Sequence, residues 1–332
     1  MLLAGDIGGT KTLLAAYASE TSPNKPLAQR QYPSTDFPNL EAIVYQFREE
    51  VHLPIHHASF AVAGPIINGH VKLTNLPWEL DEEELKQTTG FTSVRLMNDL
   101  EAIANSIPHL LPTNIKVVNV GKPVANGAKA ILAPGTGLGE AFITWDGREY
   151  RAHASEGGHS SFSPENEDEI KLLQALWKQT KHVSAETVCS GIGIPNIYDY
   201  LKDTGYASET PAVVAQFTGE RHTYTRHILN AALDKEQPCA LSMRTLDMFL
   251  HILGSEAGNL VLKQLATGGL YLSGGIVEHL QNTLGDGRFL QSFISKGRFT
   301  EFLKGIPIYI ILGRAALLGA AGYGLKMFYA RS

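Results

Sequence analysis

Apolar and polar positions alternate along this chain in two rhythms. The first residues give a short-period pattern: Leu2, Leu3 and Ala4 lead into Gly5-Asp6-Ile7-Gly8-Gly9-Thr10-Lys11-Thr12, and Leu13 to Tyr17 is apolar again. This predicts strand, glycine turn, strand over 1–17. Apolar residues at helical spacing (Leu40, Ile43, Val44, Phe47) predict a helix over 39–51. Strands are expected at 58–63, 71–74 and 94–97, with helices at 81–88 and from Asp99 to about Ser106. Prolines 108 and 112 bracket a leucine pair, and the domain change is placed there. A helix over 167–180 is expected to bury Ile170, Leu173, Leu176 and Trp177. A long one over 241–265 repeats Met243, Leu246, Phe249, Leu250 and Leu253. Strand 308–312 and an alanine-rich helix over 314–327 close the chain.

A second strand-turn-strand unit follows: apolar 130–133, then Pro134-Gly135-Thr136-Gly137-Leu138-Gly139-Glu140, then apolar 141–145. The first turn lacks the spacing of a Walker loop, and neither turn opens a helix as a dinucleotide fingerprint would. Both suit converging backbone N–H groups around an anion. Gly8 and Gly9 are expected to free the backbone of the first turn. Asp6 adds a hard oxygen suited to magnesium held partly through water. A third glycine site, Ser273-Gly274-Gly275, ends an apolar run before a helix expected over 277–284; it is either a plain strand-to-helix turn or a place where the backbone approaches a base or ribose closely.

Composition narrows the class. The 332 residues are 44% hydrophobic and 18% charged, enough for two α/β domains. A net charge of −5 favours neither nucleic acid nor an anionic membrane. No apolar run reaches the length of a membrane span. Two cysteines, Cys189 and Cys239, form no disulfide framework or zinc cluster. The first turn lies so near Met1 that neither a leader peptide nor a DNA-binding segment is expected.

Asn98-Asp99 stands at a strand-to-helix junction. It serves equally as a helix cap and as a carboxylate that accepts the proton of an alcohol during phosphoryl transfer. Glu156 and His159 flank Gly157-Gly158, and Glu186 follows in Ser184-Ala185-Glu186. Such donors and acceptors suit a polyhydroxylated sugar. Trp78, in Asn75-Leu76-Pro77-Trp78, is expected in the core.

Taken in order, Asp6-Ile7-Gly8-Gly9-Thr10-Lys11, Asn75-Leu76-Pro77-Trp78, Met97-Asn98-Asp99, Pro134 to Gly139, Ser155-Glu156-Gly157-Gly158-His159, Ser184-Ala185-Glu186 and Ser273-Gly274-Gly275 resemble the bacterial glucokinase family, within the hexokinase and actin-like ATPase superfamily. The resemblance covers nearly the whole chain. It implies an α/β, two-lobed actin-like ATPase (ribonuclease H-like) fold with a cleft between lobes. The small N-terminal lobe would span 1–110, completed by a C-terminal helix over 313–332, and the large lobe 111–312.

By the same resemblance, Asp99 is similar to the catalytic base acting on the glucose 6-hydroxyl. Asn98, Glu156, His159 and Glu186 look like sugar ligands, with Asp99 among them. Gly8, Gly9, Thr10 and Lys11, with Gly135, Thr136 and Gly137, look like the phosphate turns. Gly274 and Gly275 look like the adenosine-side turn, and Asp6 like the magnesium-side carboxylate. The resemblance implies ATP and Mg2+ as cofactors, glucose and ATP as partners without nucleic acid or membrane, and a cytoplasmic homodimer. No cysteine lies between His159 and Cys189, which sets the chain apart from the related branch carrying a Cys-rich zinc motif. A kinase for another hexose or an N-acetylhexosamine, and a non-catalytic sugar-sensing regulator, are the alternatives.

Overall fold

The computed structural model describes residues 1–73 and 76–329. The chain divides into two compact units. The first holds 1–114, the excursion 146–154, and the chain from Leu312 onward; the second holds 115–145 and 155–311.

The first unit is built on β1 (Leu2–Ile7), β2 (Lys11–Tyr17), β3 (Ala28–Pro33), β4 (His57–Val62) and β7 (Ser93–Asn98), while β5 (His70–Lys72) and β6 (Glu79–Asp81) form a separate pair. The five-stranded order is β3-β2-β1-β4-β7. β1 pairs antiparallel with β2 and parallel with β4, which pairs parallel with β7. Because side chains alternate along a strand, successive residues of β1 enter different cores. Leu3 and Ile7 pack with Phe47 of α1 (Leu40–Val51), Phe60 and Leu85 of α2 (Glu82–Thr89). Leu2 and Ala4 pack with Met97, with Ala102 of α3 (Asp99–Ser106) and with Ala316, Leu317 and Ala320 of the C-terminal helix, Ala315–Tyr329. That helix lies very close to α3: a Cβ at Gly319 would stand 1.6 Å from the Ala102 carbonyl oxygen.

Caps fix the helix starts that polar residues mark in the sequence. Asn39 accepts from the Ala42 amide, and Asp81 from the amides of Glu83 and Glu84. Trp78 is buried. Asn75, and Thr74 of the expected strand at 71–74, lie outside the described residues.

The second unit takes up the chain at β8 (Ile115–Asn119), β9 (Lys129–Pro134) and β10 (Leu138–Trp145). β11 (Tyr150–Ser155) begins in the excursion, and β12 (Gly269–Leu272) and β13 (Ile308–Ile311) follow. The order β10-β9-β12-β13-β8 places β12 in parallel register with both β9 and β13. Its helices include α4 (Glu167–Leu176), α5 (Gly193–Asp203), α6 (Pro211–Val214), α7 (Tyr224–Leu233), α8 (Ala240–Gln264), α9 (Gly275–His279), α10 (Arg288–Ile294) and α11 (Thr300–Lys304).

Three expectations are corrected. In α4, Ile170 and Trp177 are exposed, and the inward row is Glu169, Leu172 and Leu176. Glu169 turns inward because its carboxylate accepts from the Glu165 amide and the Asn166 side chain and pairs with His251. Met243 of α8 is exposed rather than part of its buried face. The helix expected over 277–284 starts at Gly275 and ends at His279.

Candidate active site

The first glycine turn joins β1 to β2. Its closing bond runs from the Gly8 amide to the Lys11 carbonyl, 3.1 Å. Gly8 has no left-handed backbone, but a Cβ there would stand 3.0 Å from the Lys11 oxygen, so the turn leaves little room for a side chain. Buried Ser34 braces the turn. Its hydroxyl donates to the Gly8 carbonyl at 2.7 Å and lies 3.0 Å from the Thr12 hydroxyl, and its amide donates to the Thr10 carbonyl at 3.0 Å. Sequence reasoning missed Ser34, which is 22 residues past Thr12. Thr10 and Lys11 are exposed.

Asp6 is the penultimate residue of the same strand. Burial first, and then the charge of Asp99, push its carboxyl up to about 6, while Arg314 pulls the other way. Like-charged oxygens in a desolvated corner suit a hard divalent cation. Among the described residues no group of three or more His, Cys, Asp or Glu side chains is placed to hold a metal.

Asn98 and Asp99 stand where β7 gives way to α3. The Asn98 side-chain oxygen caps the helix by accepting from the Leu100 amide at 2.9 Å, and its amide group donates to the Gly64 carbonyl at 3.1 Å. Asp99 Oδ1 also accepts from the Leu100 amide, at 2.9 Å. Capping is thus shared between the two residues.

In the second unit, β9 and β10 pair antiparallel around Gly135, Thr136 and Gly137, with the Gly135 amide donating to the Gly137 carbonyl at 2.8 Å. The Glu186 carboxylate lies against this turn. Its Oε2 accepts from the Leu138 amide at 2.9 Å, and a Cβ on Gly137 would stand 2.3 Å from that oxygen. The Glu186 amide donates to the Gly158 carbonyl at 2.9 Å. His159 Nδ1 lies 3.8 Å from Glu186 Oε1, and His159 Nε2 lies 4.0 Å from Glu156 Oε2. One assembly therefore holds Glu156, His159 and Glu186 beside the Gly135–Gly137 turn. The exposed Glu156 and His159 keep their polar ends available to a ligand.

Beneath it lies Glu140, also missed by sequence reasoning as a separate group. Its carboxyl is buried, its Oε1 has no hydrogen-bond partner among the described residues, and a Cβ on Gly157 would stand 1.9 Å from its Oε2. Burial, then Glu256, push it up to about 7.

Gly274 caps α9 with φ +100°, and a Cβ there would meet the Pro134 carbonyl oxygen at 2.8 Å. Glycine is required here on both counts. A cavity of about 810 Å³ joins Gly135 and Thr136 to Gly275 and adds the apolar walls Leu229 and Ile276. Arg226 lines it too, from α7, an element absent from the sequence reading. This mix of small backbone turns, apolar walls and polar rim suits a nucleoside.

A glycine turn in one assembly with two carboxylates and an imidazole is the arrangement that a sugar kinase with the actin-like ATPase fold would present, and likeness to known proteins places the chain in that class. The family model described as Glucokinase matches residues 3–327. The glucokinase of Nostoc punctiforme is 41% identical over 337 residues, covering 97% of this chain and 98% of the relative. A solved glucokinase from an Antarctic psychrotroph superposes with a TM-score of 0.83 at 33% identity, covering 97% of this chain and 98% of its own. The ROK family glucokinase from Streptomyces griseus, in complex with glucose and AMPPNP, shares the fold with a TM-score of 0.63 at 18% identity, covering 98% of this chain and 99% of its own. The chain belongs to the glucokinase family.

Proposed function

We propose that this protein transfers the γ-phosphoryl group of ATP to the 6-hydroxyl of D-glucose. The observation that carries this reading is the hydrogen bond from the Leu138 amide to Glu186, which joins a phosphate turn to a hydroxyl-binding carboxylate. A donor and a polyol acceptor are then served by neighbouring backbone. The glucose and AMPPNP bound by the S. griseus relative support the substrate pair.

Each side chain has a stated part. Glu156, His159, Glu186 and Asn98 bind sugar hydroxyls. Asp99 orients the 6-hydroxyl and accepts its proton late, because a loose transition state depends more on alignment and charge than on base strength. Gly8, Gly9, Thr10 and Lys11, with Gly135, Thr136 and Gly137, cradle phosphates, and Gly274 and Gly275 border the adenosine. Magnesium, held through Asp6, would neutralise charge on the β- and γ-phosphates. A cytoplasmic homodimer completes the reading on the family resemblance.

A coupled assay of the purified protein tests it. Glucose, mannose and N-acetylglucosamine are each offered with ATP, ADP or inorganic polyphosphate. Glucose with ATP should give the highest kcat/KM. A clear preference for the acetamido sugar, or no transfer to any sugar, overturns the assignment.

A further inference from the structure

We propose that the Arg226 guanidinium contacts the polyphosphate chain of the nucleotide in the cavity between the Gly135 and Gly275 turns, and thereby sets affinity for the phosphoryl donor. The inference rests on reading that cavity as the nucleotide site.

Three observations converge on it. Among the described residues Arg226 is the one Lys or Arg lining the cavity, which Glu278, His222 and His279 also line. A polyanion entering beside a carboxylate needs a compensating cation. The position of α7 is also fixed relative to the phosphate turn. The Thr225 hydroxyl donates to the Gly191 carbonyl at 2.5 Å, and the Gly191 amide donates to the Gly135 carbonyl at 2.8 Å. Arg226 is thus one residue from an anchor that reaches the turn through two hydrogen bonds.

The third observation is that the guanidinium is uncommitted. Arg226 is exposed and, among the described residues, its side chain makes no hydrogen bond, ion pair or ring contact. Other arginines of this unit are engaged: Arg221 with Asp199, Arg244 with Asp168, and Arg288 with Asp247 and Asp286. An unpaired guanidinium needs no bond broken before it meets a ligand. Its planar fork matches phosphate oxygens better than an ammonium does.

Steady-state kinetics of wild type, Arg226→Ala and Arg226→Lys test the proposal. Arg226→Ala should raise KM for ATP by about tenfold, the lower end for a lost charge-assisted contact at an exposed site. KM for glucose should stay within about twofold, because no sugar ligand is touched. Arg226→Lys should recover part of the loss. Added KCl should raise the wild-type KM for ATP more steeply than that of Arg226→Ala. An Arg226→Ala protein with wild-type KM for ATP and unchanged salt dependence overturns the inference. Should wild type transfer phosphate to no sugar, the functional reading falls separately. Calorimetry with AMPPNP then decides on Arg226: weaker binding to Arg226→Ala supports its role, and equal binding refutes it.

Discussion

Glu186 and Leu138, 48 residues apart, meet through a 2.9 Å hydrogen bond from the Leu138 amide to the Glu186 carboxylate. In the proposed reading, the bond ties a sugar-binding carboxylate to a phosphate turn. Glu186→Ala should therefore raise KM for both glucose and ATP, each by about tenfold, since it removes a ligand and leaves a backbone N–H without its partner. Glu186→Gln keeps an oxygen for that N–H and should restore the ATP value alone. Kinetics with each substrate varied in turn provide the check; a defect confined to glucose in both variants argues against the coupling.

Gly319 tests the packing of the first unit. A Cβ there would stand 1.6 Å from the Ala102 carbonyl, so the C-terminal helix must move away from α3 to admit alanine. Gly319→Ala should lose about 1–3 kcal/mol, in the range of core overpacking. Urea unfolding measures this, and a stability equal to wild type would show the contact to be looser than described.

His251 predicts a pH dependence of stability. Its hydrogen bond to the buried Glu169 carboxylate, 2.6 Å, holds the imidazole above its ordinary value against the opposing effect of burial. The folded chain thus binds this proton more tightly than the unfolded chain. The contribution is complete below the unfolded value, near 6.5, and is lost as pH rises through the folded value. Urea midpoints of wild type and His251→Gln should differ more at pH 5.5 than at pH 8.5. An equal gap at both refutes the linkage.

Asp6 shifts in the same direction, but burial rather than a partner raises it. Its carboxyl rises from an ordinary value of 3.8 to about 6, so folding disfavours the ionised form, and its contribution to stability falls as pH rises between those values. A magnesium ligand must be ionised, so the concentration of Mg2+ giving half-maximal activity should increase as pH falls below about 6. Asp6→Asn should weaken the Mg2+ response and remove this dependence. A Mg2+ requirement that is flat from pH 5 to 7.5 in wild type excludes Asp6 as the ligand.

The chain's local physics made much of this legible. Both glycine turns lie between strands, as the flanking apolar runs imply. The start of α3 at Asp99 follows from Asn98 as a cap. What escaped detection depends on contacts between distant segments. Ser34 braces the first turn from 22 residues beyond Thr12, and its serine sits in no recognisable motif. The burial of Glu169 reverses the polarity expected of α4, because His251 and Asn166 together satisfy its carboxylate. Arg226 lies on α7, a ten-residue helix much shorter than α8, and only the fold brings it to the cavity beside the Gly135 turn.

Asp99 carries the central claim, that a carboxylate at the start of α3 takes the proton of the glucose 6-hydroxyl. The direct measurement is turnover of Asp99→Ala with saturating glucose and ATP, alongside glucose binding by the same variant. The account predicts a kcat lower by about 10² to 10⁴ with glucose still bound. Turnover near the wild-type rate would contradict it.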